Sequence, residues 1–154
     1  MCSSDLKKAV ADEVKVVVME LSTRIGDHRI IEKNNSKNST VRIDCTTLDS
    51  FFDNHIKIDF LKIDAEGFDL HVLKGAKNLI KSNPNIVLHI EFNPHLLHLN
   101  DVNPKIFLDY LQYLGFTFFD VENKERPLSN IDELLKKYDN GIKTNITDLI
   151  CIRK

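Results

Sequence analysis

Three carboxylates crowd the stretch "DAEGFD": Asp64, Glu66 and Asp69. They follow directly on an apolar run, Ile58 to Ile63, of the kind that forms a buried strand. Like charges held this close cost free energy, so solvent, a cation or a bound partner has to offset them. A second polar group, Glu91, Asn93 and His95, follows a second apolar run, "NIVLHI". A carboxylate at a strand end can orient or deprotonate a hydroxyl as a general base, or hold a cation that does so. The plainer alternative for Asp64 and Glu66 is an acid pair favoured by the dipole at the start of the next helix. Lys62 alternates with Ile63 and so faces away from it. It reads as an edge or structural lysine, with contact to a substrate as the alternative. His89, Glu91, His95 and His98 are all metal-ligand types, yet they reproduce no short zinc spacing, and His89 sits inside an apolar strand. No metal is expected, and His95 is read as a residue of the pocket rim.

These groups depend on the elements that carry them, and strand and helix signals alternate along the chain. "VKVVVME" is a β-branched run, and "HRIIEK" and "TVRIDC" flank an exposed asparagine–serine loop at 34–40. "TLDSFFDNH" reads as a brief helix or turn before the strand ending at Ile63. Past Gly67, apolar residues recur at helical spacing until Pro84, and "NIVLHIEF" is the next strand. "NPKIFLDYLQYLG" has Asn103 to cap a helix, Pro104 for its first turn and Gly115 for its exit. "FTFFDV" is a strand with a core phenylalanine cluster. "SNIDELLKKYDNG" is a solvated amphipathic helix with Ser129 and Asp132 in capping-box spacing, and "TDLICI" a closing strand.

Composition narrows the classes. At 154 residues, 42% of them apolar, the chain fits a single domain with a real core, preceded by a poorly ordered or helical lead-in over 1–13. A formal charge of −2 with interspersed signs suggests neither nucleic acid nor an anionic membrane as a partner. No run is long enough to span a bilayer, and no apolar signal core opens the chain. Cys2, Cys45 and Cys151 are odd in number and widely spaced, which argues for a reduced, cytoplasmic protein. The sequons "NNS", "NST" and "NIT" then read as plain loop asparagines.

Alternating elements argue for an α/β layered domain with a largely parallel sheet. "IDFLKI" and "IVLHI" read as strands covered by helices on both faces. Ligands of open α/β sheets bind beyond the carboxyl ends of the strands. If these two strands are neighbours, Asp64, Glu66 and Glu91 converge on one rim, with Asn93 and His95 behind them.

Taken together, "TTLDSFF", "IDFLKIDAEGFDLHVLKGA" and "NIVLHIEFNP" resemble the C-terminal half of the FkbM-type methyltransferases. The matching residues are Thr47-Leu48-Asp49, Lys62 to Gly67, Leu73 to Ala76, and Glu91. The resemblance is dense over 46–94 and plausible in element order to the C-terminus. It implies a partial Rossmann-like, class I methyltransferase fold in three layers with a mostly parallel sheet. It also implies S-adenosylmethionine as cofactor and a sugar or natural-product hydroxyl as acceptor, with Asp64, Glu66 and Glu91 as catalytic candidates. Asn93, His95 and Lys62 are the candidate substrate contacts.

The departure is the missing glycine-rich cofactor loop. Such a loop lets backbone approach the cofactor without side chains in the way. The five glycines (Gly26, Gly67, Gly75, Gly115, Gly141) form no G-x-G. The chain is therefore expected to be the acceptor-side portion, beginning after the cofactor-binding third and inactive without it; a non-enzymatic remnant or interaction module is the alternative. The strand through Leu61 would lack a neighbour and offer an apolar edge for self-association or a complementing chain, unless "VKVVVME" covers it.

Overall fold

β-branched and aromatic runs form the strands, and glycines, prolines and asparagines punctuate them. The computed structural model describes residues 7–23, 28–31, 38–53, 55–122 and 131–153. Strands β1 (Ala9–Val10), β2 (Val16–Glu20), β3 (Arg29–Ile31) and β4 (Thr40–Thr46) make one four-stranded sheet in the order β1-β4-β2-β3. After the short helix α1 (Leu48–Phe51) come β5 (Phe60–Ile63), α2 (Asp69–Lys74), α3 (Lys77–Ser82) and β6 (Val87–Phe92). Then follow α4 (Pro94–Leu99), α5 (Pro104–Tyr113), β7 (Phe116–Asp120), α6 (Ile131–Tyr138) and β8 (Thr147–Arg153). The second sheet runs β5-β6-β8-β7.

The α/β class holds, but the largely parallel sheet does not. β1 with β4 and β5 with β6 pair in parallel, whereas β2 pairs antiparallel with β3 and β4, and β8 antiparallel with β6 and β7. The closing strand causes this in the second sheet. β5, β6 and β7 point one way, and β8 returns between β6 and β7 the other way. Part of the expected 1–13 lead-in is strand: Ala9 and Val10 pair with Cys45 and Thr46. Residues 1–6, most of the 34–40 loop and the Ser129 cap lie outside the described residues.

The expected cover on both faces of the central strands is not seen among the described residues. Alternate residues Leu88, Ile90 and Phe92 of β6, Leu149 and Cys151 of β8, and Phe116 and Phe118 of β7 are buried in one cluster. Leu70 and Leu73 of α2, Ile80 of α3, Leu97 of α4, Phe107 and Leu111 of α5, and Leu134 of α6 pack into that same cluster. The helices thus lie on one face. On the other face Val87, His89, Glu91, Phe119 and Ile150 are half-buried and Phe60 is 56% exposed. His89, expected inside a run covered on both faces, and Glu91, expected at the strand end, both belong to this second face.

The helix expected after Gly67 is broken at Gly75 and Ala76. A Cβ on Gly75 would collide with the backbone carbonyl of Ala11, so the chain before β2 lies directly on this break. Asp49 fixes it from another direction. Its backbone N–H donates to the Gly75 carbonyl at 2.9 Å, and its carboxylate accepts from the N–H groups of Asn78 (3.0 Å) and Leu79 (2.8 Å). The aspartate of "TLD" is therefore a cap for α3, satisfying donors that a helix start leaves open. Asn103 caps α5 by accepting from Lys105 N–H, with Pro104 following it, as its sequence position indicates.

Candidate functional site at the ends of β5 and β6

Parallel pairing of Ile63 with Ile90 sets the site. Both are buried in the core, so the next residues, Asp64 and Glu91, turn to the opposite face on neighbouring strands. Asp64 is exposed and accepts from Lys62 Nζ at 2.8 Å, a contact that raises the lysine's proton affinity. Lys62 is thereby an edge lysine tied to the first acid of the site.

Asp69 shapes the turn that carries Glu66. Glu66 and Gly67 both have positive φ, 51° and 87°, a conformation costly for a residue with a side chain. The buried Asp69 carboxylate holds it by accepting from the N–H groups of Ala65 and Gly67, each at 3.1 Å. Behind it, a Cβ on Gly67 would come within 2.5 Å of the Leu96 carbonyl, so α4 seats directly against the turn. Burial pushes the Asp69 carboxyl up to about 6 against the pull of those backbone donors, and Asp64 adds to the rise. Sequence reading noticed this acid and gave it no role. The signal was "EGFD": a left-handed glycine two residues before an acid that opens a helix.

Glu91 is the most perturbed of the candidate carboxyls. Burial pushes it up to about 7, and the acids Glu66, Asp69, Asp64 and Asp148 push it further in the same direction. Its Oε2 is buried and has no hydrogen-bond partner among the described residues. A half-protonated carboxyl with an orphan oxygen is suited to exchanging a proton near neutrality.

The three acids do not share one cavity. Asp64 and Glu66 open on a groove of about 350 Å³, lined also by Val10, His28, Leu48, Leu61, Ile63 and Val72. Glu91 opens on a separate cleft of about 250 Å³ with Asp148, Thr147 and Val121. Electrostatic coupling joins them across the strand ends. The groove also separates two sheet edges, since β1 and β5 are terminal strands and both wall it. β2 pairs within the first sheet, and among the described residues no strand pairs with the outer edge of β5.

The remaining candidates line neither of these two cavities. Asn93 is buried, and its side chain caps α4 by accepting from Leu96 N–H at 3.2 Å. His95, half-buried on α4, is held toward its neutral form by burial and by Lys143 and Arg29. His98 pairs with Asp139 at 2.9 Å and His89 with Asp148 at 3.4 Å. Among the described residues, no group of three or more His, Cys, Asp or Glu side chains is placed to hold a metal ion. No described helix is long and apolar enough to cross a membrane.

The described residues do not complete a site for S-adenosylmethionine. Apolar walls and carboxylates are present at the groove, but no described glycine opens backbone toward it. Gly67 faces the Leu96 backbone, Gly75 the Ala11 backbone, and Gly115 and Gly141 lie at the exit of α5 and in the loop before β8. No curated protein and no solved structure matches the chain. The family model for the methyltransferase FkbM domain matches residues 9–124. With that match spanning most of its length, the chain belongs to the FkbM methyltransferase family.

Proposed function

We propose that this chain supplies the acceptor side of an S-adenosylmethionine-dependent O-methyltransferase. It acts with a glycine-rich cofactor-binding segment, in the same polypeptide or another. The observation that carries the reading is the pairing of two parallel strands whose ends bring Asp64, Glu66 and Glu91 into electrostatic contact, within an FkbM domain. The chain's own residues would hold a small-molecule or glycan hydroxyl and take its proton. Glu91, poised near neutrality, is the general base; Asp64 and Glu66 orient the acceptor; Asp69 positions the turn that presents them. Lys62, which lines the groove beside Asp64, and His95 on α4 are assigned to the border of the acceptor in this reading. The paired Asp64–Lys62 side chains suit a polar, uncharged acceptor better than an anionic one. A cytoplasmic setting belongs to the same reading, supported by the free, buried Cys45 and Cys151.

The absent glycine cradle favours a second reading, a non-enzymatic interaction module of the same fold. Calorimetry with S-adenosylhomocysteine separates the two when done on the chain alone and on the chain joined to a family cofactor-binding segment. Binding and methyl transfer restored by the added segment, with Glu91→Gln lowering turnover but not cofactor affinity, is the expected result. Binding without transfer in any joined form would favour the interaction module.

A further inference from the structure

The β2–β3 hairpin borders two cavities. Its cross-strand pair Met19 and Ile30 lines the groove on which Asp64 and Glu66 open. The next pair, Glu20 and Arg29, lines a polar cleft of about 270 Å³ together with Ser22, Asn38, Glu66 and Leu96. Glu66 is common to both linings, and the left-handed turn that Asp69 holds is what presents it there. A residue kept in a costly conformation between two cavities points to a use for its side chain. Glu20 is buried, and each of its oxygens has a donor: Arg29 Nε at 2.6 Å and Asn38 Nδ2 at 2.8 Å. Arg29 is tied through Nε, and its two terminal nitrogens donate to none of the described residues. The pair thus holds a guanidinium at the cleft with its fork still to be matched by solvent or a ligand.

We propose that this cleft is a second subsite for the acceptor, which takes a neutral ring bearing adjacent hydroxyls while the reacting hydroxyl lies past Glu66 in the groove. Each hydroxyl offers one donor and two acceptor lone pairs. Adjacent hydroxyls can therefore accept from the Arg29 fork and donate to a carboxylate at the same time. The Glu20 charge is balanced by Arg29, but an anionic ring would still face Glu20 and Glu66, which selects against it. Leu96 supplies apolar surface for the C–H face of a ring. The volume is below the roughly 300–1,000 Å³ of pockets that bury drug-sized ligands, so the cleft fits a single ring. His95 of α4, assigned above to the acceptor border, feels the Arg29 charge and so lies on the same side. A clip that merely fixed the hairpin register would account for the Glu20–Arg29 pair, but not for a glutamate shared with the groove. The inference rests on the reading above and adds to it the part of the acceptor beyond its reacting group.

The test titrates the full chain with the methyl glycosides of glucose, mannose and galactose, and with cyclohexanol and methyl glucuronoside as controls. Binding is followed by NMR of the Arg29 Nε–H and the Leu96 methyl groups. The expected result is that at least one neutral glycoside shifts both signals with a Kd of about 1–30 mM, as suits a single subsite. Cyclohexanol, with one hydroxyl, and the anionic glucuronoside should bind at least about fivefold more weakly. Arg29→Lys keeps a positive charge beside Glu20 but loses the fork, and should weaken glycoside binding about tenfold, read at Leu96, with a folded spectrum. Should it unfold, Asn38→Ala at an exposed position takes its place. No saturable shift from any neutral glycoside at about 100 mM would overturn the proposal. So would equal binding of cyclohexanol, tighter binding of the glucuronoside, or an affinity unchanged in the folded variant. No cofactor enters the titration. Glycoside binding by a chain that never transfers methyl would keep the subsite and sink the enzyme reading; methyl transfer without glycoside binding would do the reverse.

Discussion

Replacing Glu91 with glutamine keeps the shape of the side chain and removes its titration. In the folded protein this carboxyl holds its proton up to about 7, against an ordinary value of 4.5 that the unfolded chain would show. The native state therefore binds the proton more tightly, and stability falls as pH rises from 4.5 to 7 and is level above that. At about 1.4 kcal/mol per factor of ten in proton affinity, the rise would correspond to roughly 3 kcal/mol without solvent screening. Glu91 is only half-buried, and screening reduces this to about 1–2 kcal/mol. Urea unfolding at pH 5 and pH 8 measures it in both proteins. Asp69 also titrates with a raised value, but it is common to the two, so the comparison isolates Glu91. The wild type should lose about 1–2 kcal/mol more than Glu91→Gln across that interval. Equal losses would refute the account of Glu91 as a desolvated carboxyl crowded by acids, and with it the case for a proton acceptor there.

Gly75→Ala forces a Cβ onto the Ala11 carbonyl and should cost about 2–3 kcal/mol, read as a lower urea midpoint. Asp49→Ala removes both caps on α3 and should cost about 1–2 kcal/mol, with earlier amide exchange at Asn78 and Leu79. Asp120 is buried and accepts from Lys137, Tyr138 and Thr147 side chains at 2.8, 2.8 and 2.7 Å. Asp120→Ala strands those donors and should cost about 3–5 kcal/mol, a melting-temperature drop of about 10 °C or more.

Much of this protein was legible along the chain. The strands at Val16–Glu20, Phe60–Ile63, Val87–Phe92, Phe116–Asp120 and Thr147–Arg153 carry their own β-branched and aromatic runs. Helix α5 announces both its ends. The acids of "DAEGFD" and Glu91 stood out because strand ends and carboxylates are local features, and the motifs that tie the chain to its family are contiguous. Short elements were missed. β1 is two residues whose strand character comes wholly from pairing with β4, and α4 is a six-residue helix started by Asn93.

What the sequence could not settle is what depends on partners far along the chain. Whether β8 runs with or against β6 is a choice of connection, and an alternating apolar pattern is the same in either direction. Which face of a strand is covered depends on where the helices pack, so His89 reads as lying inside a run covered on both sides. Asp49 reaches a helix 29 residues away, and Asp69 closes a turn it does not belong to. Glu91 acquires its perturbed proton affinity from acids brought close by folding. Residue type and local period are written in the chain; direction, coverage and electrostatic environment arise only when distant segments meet.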